Sequence, residues 1–301
     1  MSRAMPERLN LAIARRCDVA CSGCYTFFGR AEPDLARFTA SVAAFARCGL
    51  RAVTISGGDP LTIAGLGDFI AGLRPIGVQS IKLDTVGVGL AASPSGPRVD
   101  LRDLAGRIDY FGIPLDGWSD ESVLAFRRGR PRLYSETVAL LDALDALGGP
   151  PRVIVNTVAH RANLPHLDRI HAVVSAHPGV CQWNVFQYTP TDQAADGANG
   201  HYCVGDEAFA RARARFVDRA ARPPAFVIDF RSSRSRLGQY LLVNSDGEAW
   251  LPDERGRTLR LGCVFGREGA VLTRWREAVA SCLARVPAVA SPQPVMSAVG
   301  R

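Results

Sequence analysis

Over the first two thirds of the chain, short apolar runs alternate with stretches whose apolar residues recur every three or four positions. Arg8–Ile13 alternates polar and apolar side chains and predicts a strand. Asp34–Cys48 sets Phe38, Val42 and Phe45 at helical spacing and is stopped by Gly49. Ala52–Ile55 is a β-branched strand that runs into the turn Ser56-Gly57-Gly58-Asp59-Pro60. The alternation continues with helix Leu66–Ile76 and strand Ser80–Asp84, then helix Leu101–Arg107 and strand Tyr110–Leu115. Helix Tyr134–Leu147 and strand Arg152–Val158 follow, and after them helix Leu164–Ala176 and strand Gln182–Tyr188. Strands this apolar, joined through helices by short connections, belong to a parallel sheet buried on both faces. The pattern predicts an α/β fold, a partial (β/α)6 TIM-like barrel.

In such barrels chemistry collects at the C-terminal ends of the strands. The loop with Cys17, Cys21 and Cys24, the turn Gly57–Pro60, Asp84 with Thr85, Asp116, Asn156 and Gln187 all fall at or near those ends. Beyond Pro190 the character changes. A polar loop over Asp192–Gly200 leads to a basic helix over Asp206–Arg222. Strands at Phe226–Arg231 and Tyr240–Asn244 follow, the second entering Asn244-Ser245-Asp246-Gly247 before Glu248–Leu251, a hairpin signal. The expected division is a barrel over 1–190, an α+β extension packed on it over 191–284, and a disordered tail over 285–301, where prolines and small residues predominate.

The formal charge of +7 comes almost wholly from arginine, Lys82 being the one lysine. Apart from Arg211–Arg222 and Arg231–Arg236 the arginines are scattered, which favours solvated helix faces over a nucleic-acid surface and leaves an anionic substrate as the second reading. No apolar run has the length of a signal peptide or a membrane span, so neither nucleic acid nor membrane is an expected partner and the expected location is the cytoplasm. Eight cysteines without a secretory signal point to ligand or catalytic thiols rather than disulfides.

Cys17-x3-Cys21-x2-Cys24 places three thiolates in one loop directly after a strand. Clustered cysteines mark iron–sulfur sites, and three ligands on a cubane leave one iron open. A zinc held by the same three thiolates and a remote histidine is the alternative. Tyr25 can pack its ring against whatever the loop binds. Lys82 and Asp84 alternate with Ile81 and Leu83 and share a face, as an ion pair or as ligand contacts. Asn156, Thr157 and Gln187 are polar positions at the ends of apolar strands. Cys48 reads as a core residue. Cys181, Cys203, Cys263 and Cys282 contain no CxxC pair that would suggest a second cluster.

With these elements the sequence resembles the radical S-adenosylmethionine (SAM) superfamily over roughly residues 8–190. The cysteine motif matches, Gly57-Gly58-Asp59-Pro60 resembles that family's GGEP-type turn with Asp for Glu, and Arg128-Gly129 resembles its Arg-Gly element, with Arg127 an equally good donor. The resemblance implies a [4Fe–4S] cluster on Cys17, Cys21 and Cys24. It also implies SAM bound near Tyr25, Gly57, Gly58, Asp59 and Pro60, with Asp84, Thr85, Asp116, Arg128, Asn156 and Gln187 as further contacts. An electron from a flavodoxin- or ferredoxin-type donor would then yield a 5′-deoxyadenosyl radical that takes a substrate hydrogen. The segment Asn156–Gln187, Gly205-Asp206-Glu207-Ala208-Phe209 and Tyr240-Leu241-Leu242 look like the viperin and molybdopterin-precursor cyclase branch. Leu83-Asp84-Thr85-Val86-Gly87 departs from the Ser-Asn-Gly type turn of viperin, and viperin's amphipathic N-terminal segment is not seen.

The expected substrate is a polyhydroxylated or anionic small molecule, a sugar, aminoglycoside or nucleotide of natural-product or antibiotic biosynthesis. The outcome would be epimerisation, dehydrogenation or dehydration. Cys263, in Leu261-Gly262-Cys263-Val264, would serve epimerisation as a hydrogen-atom donor, and Arg231–Arg236 would favour a phosphorylated substrate. Peptide modification is the less expected enzyme reading, since no winged-helix leader-binding domain is expected before residue 8. A zinc- or cluster-bearing structural or regulatory protein is the non-enzyme alternative.

Overall fold

The computed structural model describes residues 5–24, 32–90, 99–149, 151–190, 199–217, 226–253 and 256–285. In chain order the first elements are β1 (Arg8–Ala14), β2 (Ala20–Cys21), α1 (Leu35–Arg47), β3 (Ala52–Gly57), α2 (Leu66–Leu73), β4 (Ser80–Asp84) and α3 (Leu101–Ala105). Next come β5 (Tyr110–Pro114), α4 (Asp120–Leu124), β6 (Arg127–Arg128), α5 (Leu133–Leu147), β7 (Arg152–Ala159), α6 (Leu167–Ser175) and β8 (Val180–Gln187). The chain continues through α7 (Asn199–Tyr202), α8 (Asp206–Val217), β9 (Val227–Arg231), β10 (Tyr240–Asn244), β11 (Glu248–Pro252), β12 (Thr258–Cys263) and α9 (Glu268–Arg285).

Ten strands form one sheet in the order β12-β11-β10-β1-β3-β4-β5-β7-β8-β9, and it does not close on itself. From β10 to β9 every neighbouring pair is parallel. The result is a partial barrel, as the strand–helix rhythm predicts. Period-two alternation divides each strand between two environments. Leu9, Leu11, Val53, Ile55, Ile81 and Leu83 are fully buried on the outer face, in one core with Phe38, Val42 and Phe45 of α1 and Ile70 of α2. Each such side chain contributes about 1.5–3 kcal/mol on burial. The inner face takes the polar partners of the same alternation, among them Asn10, Ser56, Lys82, Asp84, Asn156 and Asn184.

After residue 190, β9 pairs with β8 from Gln182↔Val227 to Phe186↔Arg231, and β10 pairs with β1 from Arg8↔Tyr240 to Ala12↔Asn244. They add parallel strands at both flanks of the six predicted ones. Across the gap between them the Arg231 guanidinium donates to the Tyr240 hydroxyl and to Asp229 Oδ2, the latter at 2.6 Å. The hairpin at Asp246-Gly247 forms where the turn signal lies, with Gly247 at φ +83° and its N–H on Asn244 O.

Cys48 is exposed at the C-cap of α1 and is not a core residue. Cys282 is wholly buried in α9. Tyr25, nearly all of the Asp192–Gly200 loop, the end of the basic helix and the expected tail beyond Arg285 lie outside the described residues. No helix among the described residues is long and apolar enough to cross a membrane.

Candidate active site

Two backbones meet at the top of β1 and β3. Gly58 N–H donates to Ala14 O at 2.7 Å and Asp59 N–H to Arg16 O at 2.6 Å, so the Gly-Gly turn grips the start of the cysteine loop. The glycines permit this approach. Gly57 sits at φ +127°, and a Cβ on Gly58 would stand 2.1 Å from Arg16 O. The Asp59 side chain faces inward to the protein. It accepts hydrogen bonds from Leu61 N–H at 3.0 Å, Val86 N–H at 3.0 Å and the Thr85 hydroxyl at 2.7 and 2.9 Å. Burial pushes its carboxyl above the usual carboxylate range in spite of those donors. Asp59 and Thr85 therefore latch the ends of β3 and β4 together.

Cys17, Cys21 and Cys24 are half-buried free thiols. Burial pushes the Cys17 thiol up to about 12 and raises that of Cys21, against the pull of Arg127. Such thiols are held protonated until a metal takes them, and metal binding releases the protons. The strand β2, which carries Cys21, pairs with β6, so that Cys21 faces Arg127 and Ala20 faces Arg128. Arg127 Nη1 donates to Cys21 Sγ at 3.2 Å, while its Nε donates to Asp116 Oδ2. Asp116 is fully buried and takes Val158 N–H on its other oxygen at 2.6 Å. Arg128 is exposed on the other side of the same two-residue strand.

An aromatic wall flanks the loop on its far side. A Cβ on Gly23 would stand 2.4 Å from the Tyr188 ring and 3.0 Å from Phe126. Phe126 stacks on His160 at 4.7 Å between centroids, and Tyr202 meets both rings edge-on. Ala162 N–H donates to His160 Nδ1, so the imidazole proton sits on Nε2, a buried atom without a hydrogen-bond partner. Burial lowers the His160 pKa to about 4. Between pH 6.5 and 4 the unfolded chain then binds the proton that the folded chain refuses, so stability falls as pH falls, by at most about 1.4 kcal/mol per pH unit from this group. Urea titrations across that window are expected to show a shallower pH slope for His160→Phe than for the unmodified chain; equal slopes would refute the assignment.

The lumen below the rim is polar. Gln182 Nε2 donates to Asn184 Oδ1 at 2.7 Å and Asn184 Nδ2 to Asn156 Oδ1 at 2.9 Å, an amide relay across β8 and β7. Lys82 Nζ lies 2.8 Å from Asp84 Oδ1 as an ion pair. Gly112 leaves room for both, since a Cβ there would be 1.7 Å from that carboxylate oxygen.

The sequence-expected residues thus separate into groups. Cys17, Cys21 and Cys24 share the loop that Gly57, Gly58 and Pro60 adjoin at the tops of β1 and β3, and among the described residues their side chains are not gathered as a ligand set for a single metal ion. Asp84 and Asn156 face the lumen. The side chains of Asp59, Thr85 and Asp116 are engaged within the rim. Gln187 lies on the outer face of β8, where its amide donates to Val204 O and Asp206 Oδ1 and accepts from Ser233 N–H. Cys263 ends β12, separated from β1 by β11 and β10, with Sγ 3.9 Å from Asp246 O. His160, Tyr188 and Tyr202 were not singled out by the sequence as site residues, and Asn184, Arg231 and Tyr240 entered it only within longer segments. For Asn184 the alternation of its strand was the available signal.

A family model described as the radical SAM superfamily matches residues 11–170, more than half of the chain. The chain belongs to the radical SAM superfamily. Its cofactors are accordingly a [4Fe–4S] cluster and SAM. The residues present fit them: three soft sulfur donors share one loop, pressed against a glycine cradle that no side chain could occupy.

Among solved structures this radical SAM protein is similar to Streptococcus suis SuiB bound to S-adenosylmethionine, with a TM-score of 0.64 and 13% identity over 82% of this chain and 60% of that one. It therefore spans 60% of the length of that structure. It is also similar to native anSMEcpe with bound AdoMet and the Cp18Cys peptide, with a TM-score of 0.62 and 13% identity over 89% of this chain and 80% of that one. At such identities the likeness is one of fold. No curated protein sequence matches the chain.

Proposed function

We propose that this radical SAM enzyme ligates its cluster through Cys17, Cys21 and Cys24, seats SAM along Gly57–Pro60, and abstracts hydrogen from a polar small molecule held in the lumen. The bound cofactors supply reductive cleavage of SAM to a hydrogen-abstracting 5′-deoxyadenosyl radical, the electron coming from a flavodoxin- or ferredoxin-type donor. The chain's own residues position the partners. Gly57 and Gly58 bring the SAM turn and the cysteine loop into backbone contact, and the Asp59–Thr85 latch keeps that turn beside the end of β4.

The observation that carries the substrate class is the polar inner face. The amide relay Gln182–Asn184–Asn156, the Lys82–Asp84 pair and the Asp229–Arg231–Tyr240 group all line the half-barrel. The Lys82–Asp84 ion pair places a cation and a carboxylate side by side on this face, groups that suit a hydroxyl- or amine-bearing ligand. Such a wall suits a sugar, aminoglycoside or nucleotide of natural-product biosynthesis, and supports dehydrogenation, dehydration or epimerisation next to a hydroxyl. Free thiols at all eight cysteines support a reducing, cytoplasmic setting. A peptide substrate is the second reading, favoured because SuiB and anSMEcpe have each been solved with a peptide bound.

The test is 5′-deoxyadenosine formation by the dithionite-reduced enzyme with SAM, measured against a panel of aminoglycosides, nucleotide sugars, nucleotides and a cysteine-containing peptide. Stimulation by a sugar-bearing compound supports the proposal; stimulation by the peptide alone overturns the substrate class. Cys263 stands at the rim end of its strand but two strands away from β1, so epimerisation through this thiol is the most exposed part of the proposal. In heavy water the unmodified enzyme is expected to place deuterium at one product carbon, and Cys263→Ala to lose that label while still making 5′-deoxyadenosine. Unchanged labelling in the variant removes Cys263 from the reaction.

A further inference from the structure

A nearly buried arginine donates a hydrogen bond to one of the three cluster cysteines. Cys17 takes the backbone N–H of Val19, whereas Cys21 takes a guanidinium N–H from Arg127 at 3.2 Å. We propose that Arg127 is a positioning residue that tunes the reduction potential of the cluster through this N–H···S contact, and that Asp116 sets how strongly it does so. The inference rests on Cys21 being a cluster ligand and concerns what the surrounding chain does to that ligand.

Three features make the contact a built one. Cys21 and Arg127 are directly opposed in the antiparallel pair of β2 and β6, so backbone hydrogen bonding fixes their separation. Arg127 is anchored at its other end, since Nε donates to Asp116. Asp116 cannot turn away, because it is fully buried, receives Val158 N–H at 2.6 Å from the end of β7, and has its own carbonyl bound by Asn163 Nδ2 at 2.9 Å. The guanidinium is therefore aimed by the barrel itself. A guanidinium, charged at all ordinary pH and here paired with the buried Asp116 carboxylate, sits beside the sulfur as a cation.

The physical consequence has a sign. Reduction adds negative charge to the cluster, and a hydrogen bond to a ligand sulfur stabilises the more negative state and raises the potential. Asp116 opposes this by placing a carboxylate behind the guanidinium. Removing the donor and removing the carboxylate must then shift the potential in opposite directions.

The test is an EPR-monitored redox titration of the reconstituted holoenzyme, with iron content and apo-protein melting recorded for each variant. Arg127→Met is expected to lower the midpoint and Asp116→Asn to raise it, each changing the reduced fraction at fixed potential by about tenfold, which is about 59 mV for one electron. Arg127→Lys, which keeps the charge but loses the anchored fork, is expected to fall between Arg127→Met and the unmodified protein. Opposite shifts support the proposal. Shifts of the same sign, or none in either variant, overturn it. If Arg127→Met folds but does not hold four irons, Asp116→Asn decides alone, upward in support and unchanged or downward against. An unmodified protein that holds no cluster at all would sink the cluster assignment itself, a different failure from absent or same-sign shifts in loaded variants.

Discussion

Replacing Cys17, Cys21 or Cys24 by alanine is expected to give a protein that leaves anaerobic reconstitution colourless and makes no 5′-deoxyadenosine from SAM and dithionite. The loss should be complete in each single variant, because a cluster seated on two protein thiolates has no replacement nearby in the loop. The folded barrel should survive. These thiols lie outside the main core, Cys17 and Cys21 packing against the small group of Val19, Val86, Val123 and Leu133 at the rim. Circular dichroism and melting temperature should therefore stay close to those of the unmodified apo-protein. Cys48→Ala is the matched control, since Cys48 is exposed at the end of α1 and should leave iron content and SAM cleavage unchanged. Four irons retained in all three single variants would overturn the ligand assignment.

The second large effect is expected from one methyl group. In Gly58→Ala the new Cβ would stand 2.1 Å from Arg16 O and 2.5 Å from Arg16 C. Both are backbone atoms, so no rotamer change relieves the clash, and the cysteine loop must move off the turn. That movement breaks the hydrogen bonds from Gly58 N–H to Ala14 O and from Asp59 N–H to Arg16 O. Two such bonds and the overpacking together cost about 3 kcal/mol, or a fall in melting temperature on the order of 6 °C. Iron content should fall further than stability does, because the displaced segment carries Cys17. Full iron content together with an unchanged melting temperature would show that turn and loop are not joined as described.

How far the sequence reveals this arrangement depends on how local each signal is. The six central strands are legible because each is buried on its outer face by neighbouring helices, so Leu9, Val53, Ile81, Val153 and Trp183 fall on regular apolar positions. Partners of β9 and β10 are not legible, because nothing within Val227–Arg231 or Tyr240–Asn244 names the strand that will receive it. β12 buries only Leu261, and β2 and β6 have two residues each, too few for any period. The site divides in the same way. Cysteine spacing and glycines are written in consecutive residues and could be read. Gln187 could not be placed, because a polar residue ending a strand carries no mark of which face it takes. The Arg127–Asp116–Cys21 contact joins residues over a hundred positions apart and exists only once β2 meets β6.

Since β9 and β10 both point toward the rim, residues 232–239 must descend from the top of one to the bottom of the other, across the unclosed side of the sheet. Ser233 N–H is bound to Gln187 Oε1, and Arg236 Nη2 to Gln187 O at 3.0 Å, so Gln187 is the hinge-post of this loop panel. One wall of the lumen is thus hung on side-chain contacts while the rest is woven into the sheet. Insertions or exchanges in that panel could remodel the chamber without disturbing a single strand pair, which makes it the segment where lineages sharing this barrel can diverge in what they accept while keeping the radical-generating end intact.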